Sequence, residues 1–402
     1  MSMSSSISSR SAAQRGAPVV RGSAPSVRVA SVAASPRVRE PQRELRRSTT
    51  AAAEAPSAPS PSPTAPAVGR VRVLDDADLM QLGKSGLTVP VMGVGAWAWG
   101  DRSGYWGYGS QYGKEESRSA YDAIHKAFGD DAFIDTAEVY GFGRSEEYLG
   151  EFIRTTGTQP LVATKFAPLP WRLNADCVPE AARASLQRLG LPKMSLYMQH
   201  WPGFLVNAFS NEAYLDGLIK VHEQSLADAI GVSNFNESRV REGAKRLELA
   251  GVPMASNQIQ YSLLYRKPEV TGVLEACKEF GVTPVAYSPM CQGLLTGKYT
   301  VAGEKPYGPR ANLFTDSRIR EVEPLLSCMR AISKEREKTL PQIAINWCIC
   351  KGTLPIPGAK TEKQVNEAAG ALGWRLTDGE VAELDRVSGK VPTSLGAPFE
   401  QW

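Results

Sequence analysis

Asp135, Tyr140, Lys165 and His200 are four side chains that together could reduce a carbonyl. Asp135, Lys165 and His200 stand at the ends of short apolar runs, in Phe133-Ile134-Asp135-Thr136, Ala163-Thr164-Lys165-Phe166 and Gln199-His200-Trp201-Pro202, and Tyr140 follows Asp135 by five residues. Hydride transfer to a carbonyl leaves an alkoxide that has to be protonated, and a tyrosine with its usual pKa of about 10 is a weak acid for that task. A neighbouring ammonium favours the tyrosinate. Lys165, kept charged by the Asp135 carboxylate, is therefore expected to lower the Tyr140 pKa, while His200 hydrogen-bonds and orients the substrate oxygen. Singly, these residues have plainer readings, since a buried Asp–Lys pair is usually structural. Of three histidines, His125 and His222 fall on stretches expected to form outer helices. The competing chemistry is a lyase or isomerase with Lys165 as a Schiff-base amine, which a carboxylate neighbour disfavours by holding the lysine protonated. Three scattered histidines and six cysteines without a CxxC pair offer no metal-ligand spacing, so no metal is expected.

Those runs belong to a larger pattern. From residue 71 onward, apolar or β-branched runs alternate with amphipathic helical stretches, the arrangement that makes parallel sheets. Eight strands are expected, ending near Gly93, Asp135, Thr164, His200, Val232, Ile259, Tyr287 and Ile356, with helices such as Ser117 to Phe128, Ala175 to Leu189 and Glu237 to Leu249 between them. Eight units predict an α/β fold of the (β/α)8 TIM-barrel class, with chemistry at the C-terminal strand ends. Leu79 to Pro90, with Gly83-Lys84-Ser85-Gly86 inside it, reads as a β-hairpin that closes the barrel floor. Tyr287 to Ile356, after the seventh strand, is long enough to hold a functional loop on the catalytic face. Gly93-Val94-Gly95 is a false dinucleotide-binding signal, because no helix follows it.

Nine of the 46 basic residues but only two of the 42 acidic ones fall in residues 1–50, so the net charge of +4 is a property of the N-terminus. A nucleic-acid-binding surface is not indicated. No apolar run approaches the roughly 20 residues of a membrane span. The absence of paired cysteines fits a reducing compartment. Residues 1–47, rich in Ser, Ala, Val and Arg, have the composition of a transit peptide, for a plastid in preference to a mitochondrion. Residues 48–70 form an Ala/Pro/Ser linker and 71–402 the barrel domain.

The sequence resembles the aldo-keto reductases, whose Asp, Tyr, Lys and His tetrad occupies strand ends of a (β/α)8 barrel. The likeness covers about residues 79 to 388 and rests on Phe133 through Gly141, Ala163-Thr164-Lys165-Phe166, Gln199-His200-Trp201-Pro202, Gly231-Val232-Ser233-Asn234-Phe235 and Tyr287-Ser288-Pro289. Trp97-Ala98-Trp99-Gly100, Ile345 through Gly352 and Pro355-Ile356-Pro357-Gly358 resemble the plant and algal plastid branch. The resemblance implies NADPH as cofactor and a small carbonyl substrate. It matches Ser233, Asn234, Gln258 and Tyr287 to the nicotinamide, with Ala96, Trp97 and Asp135 nearby. Ser288, Pro289, Met290, Cys291 and Gln292 match the pyrophosphate loop, and Gly358, Lys360, Gln364 and Glu367 the adenosine end, where Lys298 and Arg310 would join them. Ala368 departs from the family's adenine-binding Asn. Asn236 is expected to cap a helix and leave Ser233 to bind. Relatives reduce pyridoxal, methylglyoxal or lipid-peroxidation aldehydes, and an aromatic mouth of Trp97, Trp99, Tyr105, Trp106, Trp171 and Trp201 suits a flat or apolar one. Potassium-channel β subunits supply the rival, a nucleotide-binding regulatory module, but they carry Asn where this chain has His200. A monomer is expected from the relatives.

Overall fold

The structure is a computed structural model that describes residues 74–306 and 308–392, all within the compact unit spanning residues 65–402. The expected transit peptide, the whole of the linker, the first three residues of the expected barrel domain and the C-terminal tail with Phe399 and Trp402 lie outside the described residues. An antiparallel pair, β1 (Leu79–Gln81) and β2 (Thr88–Pro90), comes first. Eight parallel strands follow: β3 (Val94–Gly95), β4 (Phe133–Asp135), β5 (Leu161–Phe166), β6 (Met194–Gln199), β7 (Ala227–Ser233), β8 (Met254–Gln260), β9 (Thr283–Tyr287) and β10 (Leu354–Ile356). They pair in sequence order, β3 through β10. The first and last meet where Gly93 N donates to Pro355 O and Gly95 N to Pro357 O, each at 3.0 Å, so the sheet closes on itself.

Glycine is needed at this seam. A Cβ on Gly93 would stand 2.6 Å from the Phe133 ring and 2.9 Å from its carbonyl oxygen, so the apparent nucleotide-binding glycines serve strand closure. Helices cover the outside: α1 (Lys114–Phe128), α2 (Arg144–Thr156), α3 (Cys177–Leu189), α4 (Asn211–Glu223), α5 (Glu237–Leu249), α6 (Lys267–Val270), α7 (Val273–Phe280), α8 (Asp316–Arg336), α9 (Leu340–Cys350), α10 (Glu362–Ala369) and α11 (Asp378–Ser388). With side chains inside the barrel and helices outside, strands such as β6 and β8 are buried along nearly their whole length, which is why their sequences read as apolar runs and not as alternation. The hairpin closes the floor as expected: Leu82 and Val89 are buried in one cluster with Phe133, Leu196, Val285 and Leu354 from inside the barrel. Among the described residues no helix is long and apolar enough to cross a membrane.

Several boundaries differ from the sequence expectation. Strands β5, β7 and β8 continue one or two residues beyond Thr164, Val232 and Ile259, because the parallel ladder goes on pairing there. β6 stops at Gln199, one residue short of His200, and the first barrel strand lies just after Gly93. Helix α1 begins at Lys114, before Ser117, with the Glu116 carboxylate accepting from Gly113 N at 2.7 Å. Helix α3 begins at Cys177, not Ala175, after an Asn174 side chain that accepts from the amides of Asp176 and Cys177. Helix α5 spans the expected residues, capped by Asn236, which accepts from Arg239 N. The long segment after the seventh barrel strand is mostly helical: α8 and α9 occupy much of it, and the loop facing the barrel mouth runs from 288 to 315.

Candidate active site

The four chemistry-bearing residues converge. Asp135 ends β4, and Lys165 is the penultimate residue of β5, which places both side chains inside the barrel at its C-terminal end. Lys165 is fully buried, and its Nζ donates to Asp135 Oδ2 and to the Thr136 carbonyl, each at 2.7 Å. The Lys165 ammonium also reaches the Tyr140 hydroxyl at 3.4 Å. Gln258, from across the barrel, donates to the other Asp135 oxygen at 2.7 Å. The His200 ring stands edge-on to that of Tyr140, centroids 5.6 Å apart, and its buried Nδ1 has no protein partner.

Burial pushes the Asp135 carboxyl up and the Lys165 ammonium down, while the attraction between them opposes both shifts. Tyr140 departs from the sequence expectation. Its pKa stands well above the ordinary tyrosine value, first because burial penalises the phenolate and second because the Asp135 charge repels it. The Asp135 carboxylate engages the Lys165 charge directly, so in the resting site desolvation outweighs the help of the lysine. Tyr140 is thus a fully protonated acid at neutral pH, and Lys165 can act only as negative charge develops on the phenol. His200 is shifted well below its ordinary value by burial and then by Lys165, so the imidazole is neutral.

The loop that carries Tyr140 is built for this placement. Residues Gly141, Phe142 and Gly143 all have positive φ, and a Cβ on Gly141 would lie 2.4 Å from the Gly100 carbonyl oxygen. Glu138 fastens the start of the loop by accepting from Ala167 N at 2.6 Å and pairing with Arg172.

A cleft of about 960 Å³ opens above the four residues. It is lined by Tyr140, His200, Asp135, Trp97, Ser233, Asn234, Gln258, Tyr287, Ser288, Pro289, Met290, Gln292, Lys298, Arg310, Gly358, Lys360, Gln364 and Glu367. Nearly all the residues expected at a nucleotide are therefore brought to one surface. Ala96 and Cys291 do not line it: Ala96 is buried, with its amide bonded to Asp135 O and its carbonyl to Ser145 Oγ, and Cys291 is buried beneath its loop. The polar group at one end is already interlinked, Ser233 Oγ donating to Gln258 O, Asn234 Nδ2 to His200 O and Tyr287 OH to Asn234 Oδ1.

At the other end three cations gather on two loops. The Arg310 guanidinium and the Lys360 ammonium lie 5.2 and 5.0 Å from the Trp106 ring centre, and Lys360 Nζ donates to the Trp106 carbonyl at 2.7 Å. Lys360 is lowered to about 8 by burial and by the charges of Arg310 and Lys298. The Arg310 Nε and Trp106 Nε1 are buried without a partner. Such a cluster is arranged for an anion.

Of the expected mouth aromatics, Trp97, Trp106 and Trp201 line the cleft, and Tyr105 stacks on Trp97 while its hydroxyl donates to Gln292. Trp99 instead is a fully buried packing residue that donates to Ala359 O, and Trp171 is exposed to solvent. Sequence reasoning missed Gln111 and Tyr112 from the long loop after β3, and Thr339, Leu340 and Pro341 at the start of α9. The Thr339-Leu340-Pro341-Gln342 capping box was a readable signal for a helix start, but not for its position at the cleft.

Comparison with known proteins agrees with this geometry. The family model described as the aldo/keto reductase family matches residues 91–388. The chloroplastic pyridoxal reductase of Arabidopsis thaliana is 38% identical over 319 residues, 77% of this chain and 86% of that one. The NADP(+) aldo-keto reductase yakc of Schizosaccharomyces pombe is 30% identical, covering 74% of this chain and 88% of its own. An aldo-keto reductase of Klebsiella pneumoniae solved in complex with NADPH shares the fold with a TM-score of 0.59 at 23% identity, over 80% of this chain and 98% of that one. By sequence, fold and the convergence of its four strand-end residues, this chain belongs to the aldo/keto reductase family.

Proposed function

We propose that the protein reduces a small aldehyde or ketone to the alcohol with NADPH, Tyr140 giving the proton. The carrying observation is the Tyr140 hydroxyl at the cleft, 3.4 Å from a lysine ammonium that is bonded to a buried carboxylate. The cleft fits the nucleotide: Ser233, Asn234, Gln258 and Tyr287 would hold the nicotinamide end, and Lys298, Arg310 and Lys360 a 2′-phosphate, where Arg310 Nε still lacks a partner. NADPH, when bound, supplies the hydride. The protein's residues do the rest. Neutral His200 hydrogen-bonds the carbonyl oxygen and orients it; Tyr140 transfers its proton as alkoxide charge appears; Lys165 stabilises the tyrosinate left behind; Asp135 keeps Lys165 charged. Trp97 and Trp201 offer flat apolar walls, which favours an aromatic or apolar carbonyl, and the name of the Arabidopsis relative makes pyridoxal the first to try.

The test is NADPH binding by tryptophan fluorescence and NADPH oxidation with a carbonyl panel, for wild type and Tyr140→Phe. Loss of turnover by roughly a hundredfold or more with binding retained supports the proposal. Tight binding without turnover of any carbonyl by wild type points to the regulatory module instead. Residues 1–47 we propose to be a plastid transit peptide, in line with their composition and with the chloroplastic relative.

A further inference from the structure

Behind the wall that carries Lys165 lies a second buried carboxylate that no step above uses. Glu146, in the first turn of α2, is fully buried. Its Oε1 accepts from Thr164 Oγ1 at 2.5 Å and its Oε2 from Arg188 Nε at 2.6 Å. Thr164 directly precedes Lys165 on β5, so by the alternation of a strand the two side chains leave opposite faces, Lys165 inward and Thr164 toward the helices. The neighbouring Ser145 donates to the Ala96 carbonyl at 3.0 Å and accepts from Thr136 Oγ1 at 2.8 Å. The first turn of α2 is thus fixed to the chain following β3 and β4, to β5 and to α3. The segment held between Thr136 and Ser145 is the one that carries Tyr140.

Burying a carboxylate is an expensive way to hold a helix even with a half-buried arginine as partner, because apolar residues of similar size often do so equally well. What apolar residues cannot supply is charge. Arg188, Glu146, Lys165 and Asp135 alternate in sign: Lys165 pairs with Asp135 inside the barrel, and the charge of Glu146, which bonds to the adjacent Thr164 beyond the wall, also favours the ammonium. Burial pushes the Glu146 carboxyl up, and the Arg188 charge together with the hydroxyls of Thr164 and of Ser185 in α3 opposes that shift, while Tyr197 of β6 also senses the Glu146 charge.

We propose that Glu146 is a positioning residue for proton transfer, holding the Tyr140 segment against Lys165 through Thr164 and supporting the lysine's charge from outside the barrel. The inference rests on Tyr140 being the proton donor. In the full-length protein, Glu146→Gln is expected to lower kcat at saturating NADPH by about 10- to 100-fold, as small displacements of reacting groups do. NADPH affinity should stay within about twofold, because Glu146 does not line the cleft. The alkaline limb of the kcat profile should move to lower pH, since Lys165 then loses its proton more readily. Glu146→Asp, which keeps the charge, should restore the limb, and Thr164→Val should lower kcat without moving it. If Glu146→Gln keeps wild-type kcat and pH profile, or loses kcat only in proportion to its folded fraction, the inference is overturned. If Tyr140→Phe retains turnover, the proton-donor reading itself falls, a result separable from the first.

Discussion

At the scale of single residues, the site works by burial. Lys165 has no solvent to share its charge, and its bonds to Asp135, Thr136 and Tyr140 exist because nothing else can satisfy it. Removing one partner of such a pair strands the other. Lys165→Met should therefore abolish turnover and also lower stability by about 3–5 kcal/mol, read as a fall in the urea midpoint with unchanged slope. A variant of wild-type stability would show that Asp135 is not ionised in the resting protein. The identities of all four residues were legible in the sequence, because each stands at or near the end of an apolar run. The sign of the Tyr140 shift was not. Sequence reasoning weighed the attraction of Lys165, but the outcome depends on how much water the phenol loses, which only packing fixes.

At the scale of elements, loops 288–315 and 357–361 supply the cations and the long loop after β3 supplies the aromatic that covers them. Lys298 and Arg310 come from the first, Lys360 from the second and Trp106 from the third. If the cations hold the 2′-phosphate as proposed, their crowding is expected to make cofactor preference depend on pH. Lys360 sits at about 8 in the nucleotide-free protein, and a bound 2′-phosphate, dianionic at this pH, would raise it. NADPH affinity should then fall as pH rises through about 8, by up to about tenfold per unit, whereas NADH affinity should not change. Isothermal titration at pH 7, 8 and 9 checks this, and Lys360→Met should flatten the NADPH curve. The same depression has an opposite effect on folding: the unfolded chain binds the proton more tightly, so the nucleotide-free protein gains stability as pH rises from about 8 toward the ordinary lysine value of 10.5. Most helices and strands could be placed from periodicity, with α5 spanning the expected residues. Strand ends slipped by a residue or two, because pairing with neighbours, which local sequence does not encode, decides where a parallel strand stops.

At the scale of the whole molecule, a barrel whose floor is closed by a hairpin has one open end, and the site occupies it. The delivery role proposed for the N-terminal extension is tested at this scale: a fusion of residues 1–70 to a fluorescent reporter is expected to accumulate in plastids, and cytosolic or mitochondrial fluorescence would remove that reading. The eightfold alternation, the hairpin, the four strand-end residues and their resemblance to a reductase family were all determined by the sequence, because periodicity and local motifs are local properties. The tertiary structure decided what depends on distant segments meeting. It closed β3 on β10 through glycines that had imitated a nucleotide motif. It sent Trp99 into the core and brought Trp106 against two cations. It also set Glu146 behind Lys165, since a side chain's surroundings are fixed by which residues from elsewhere in the chain exclude water around it.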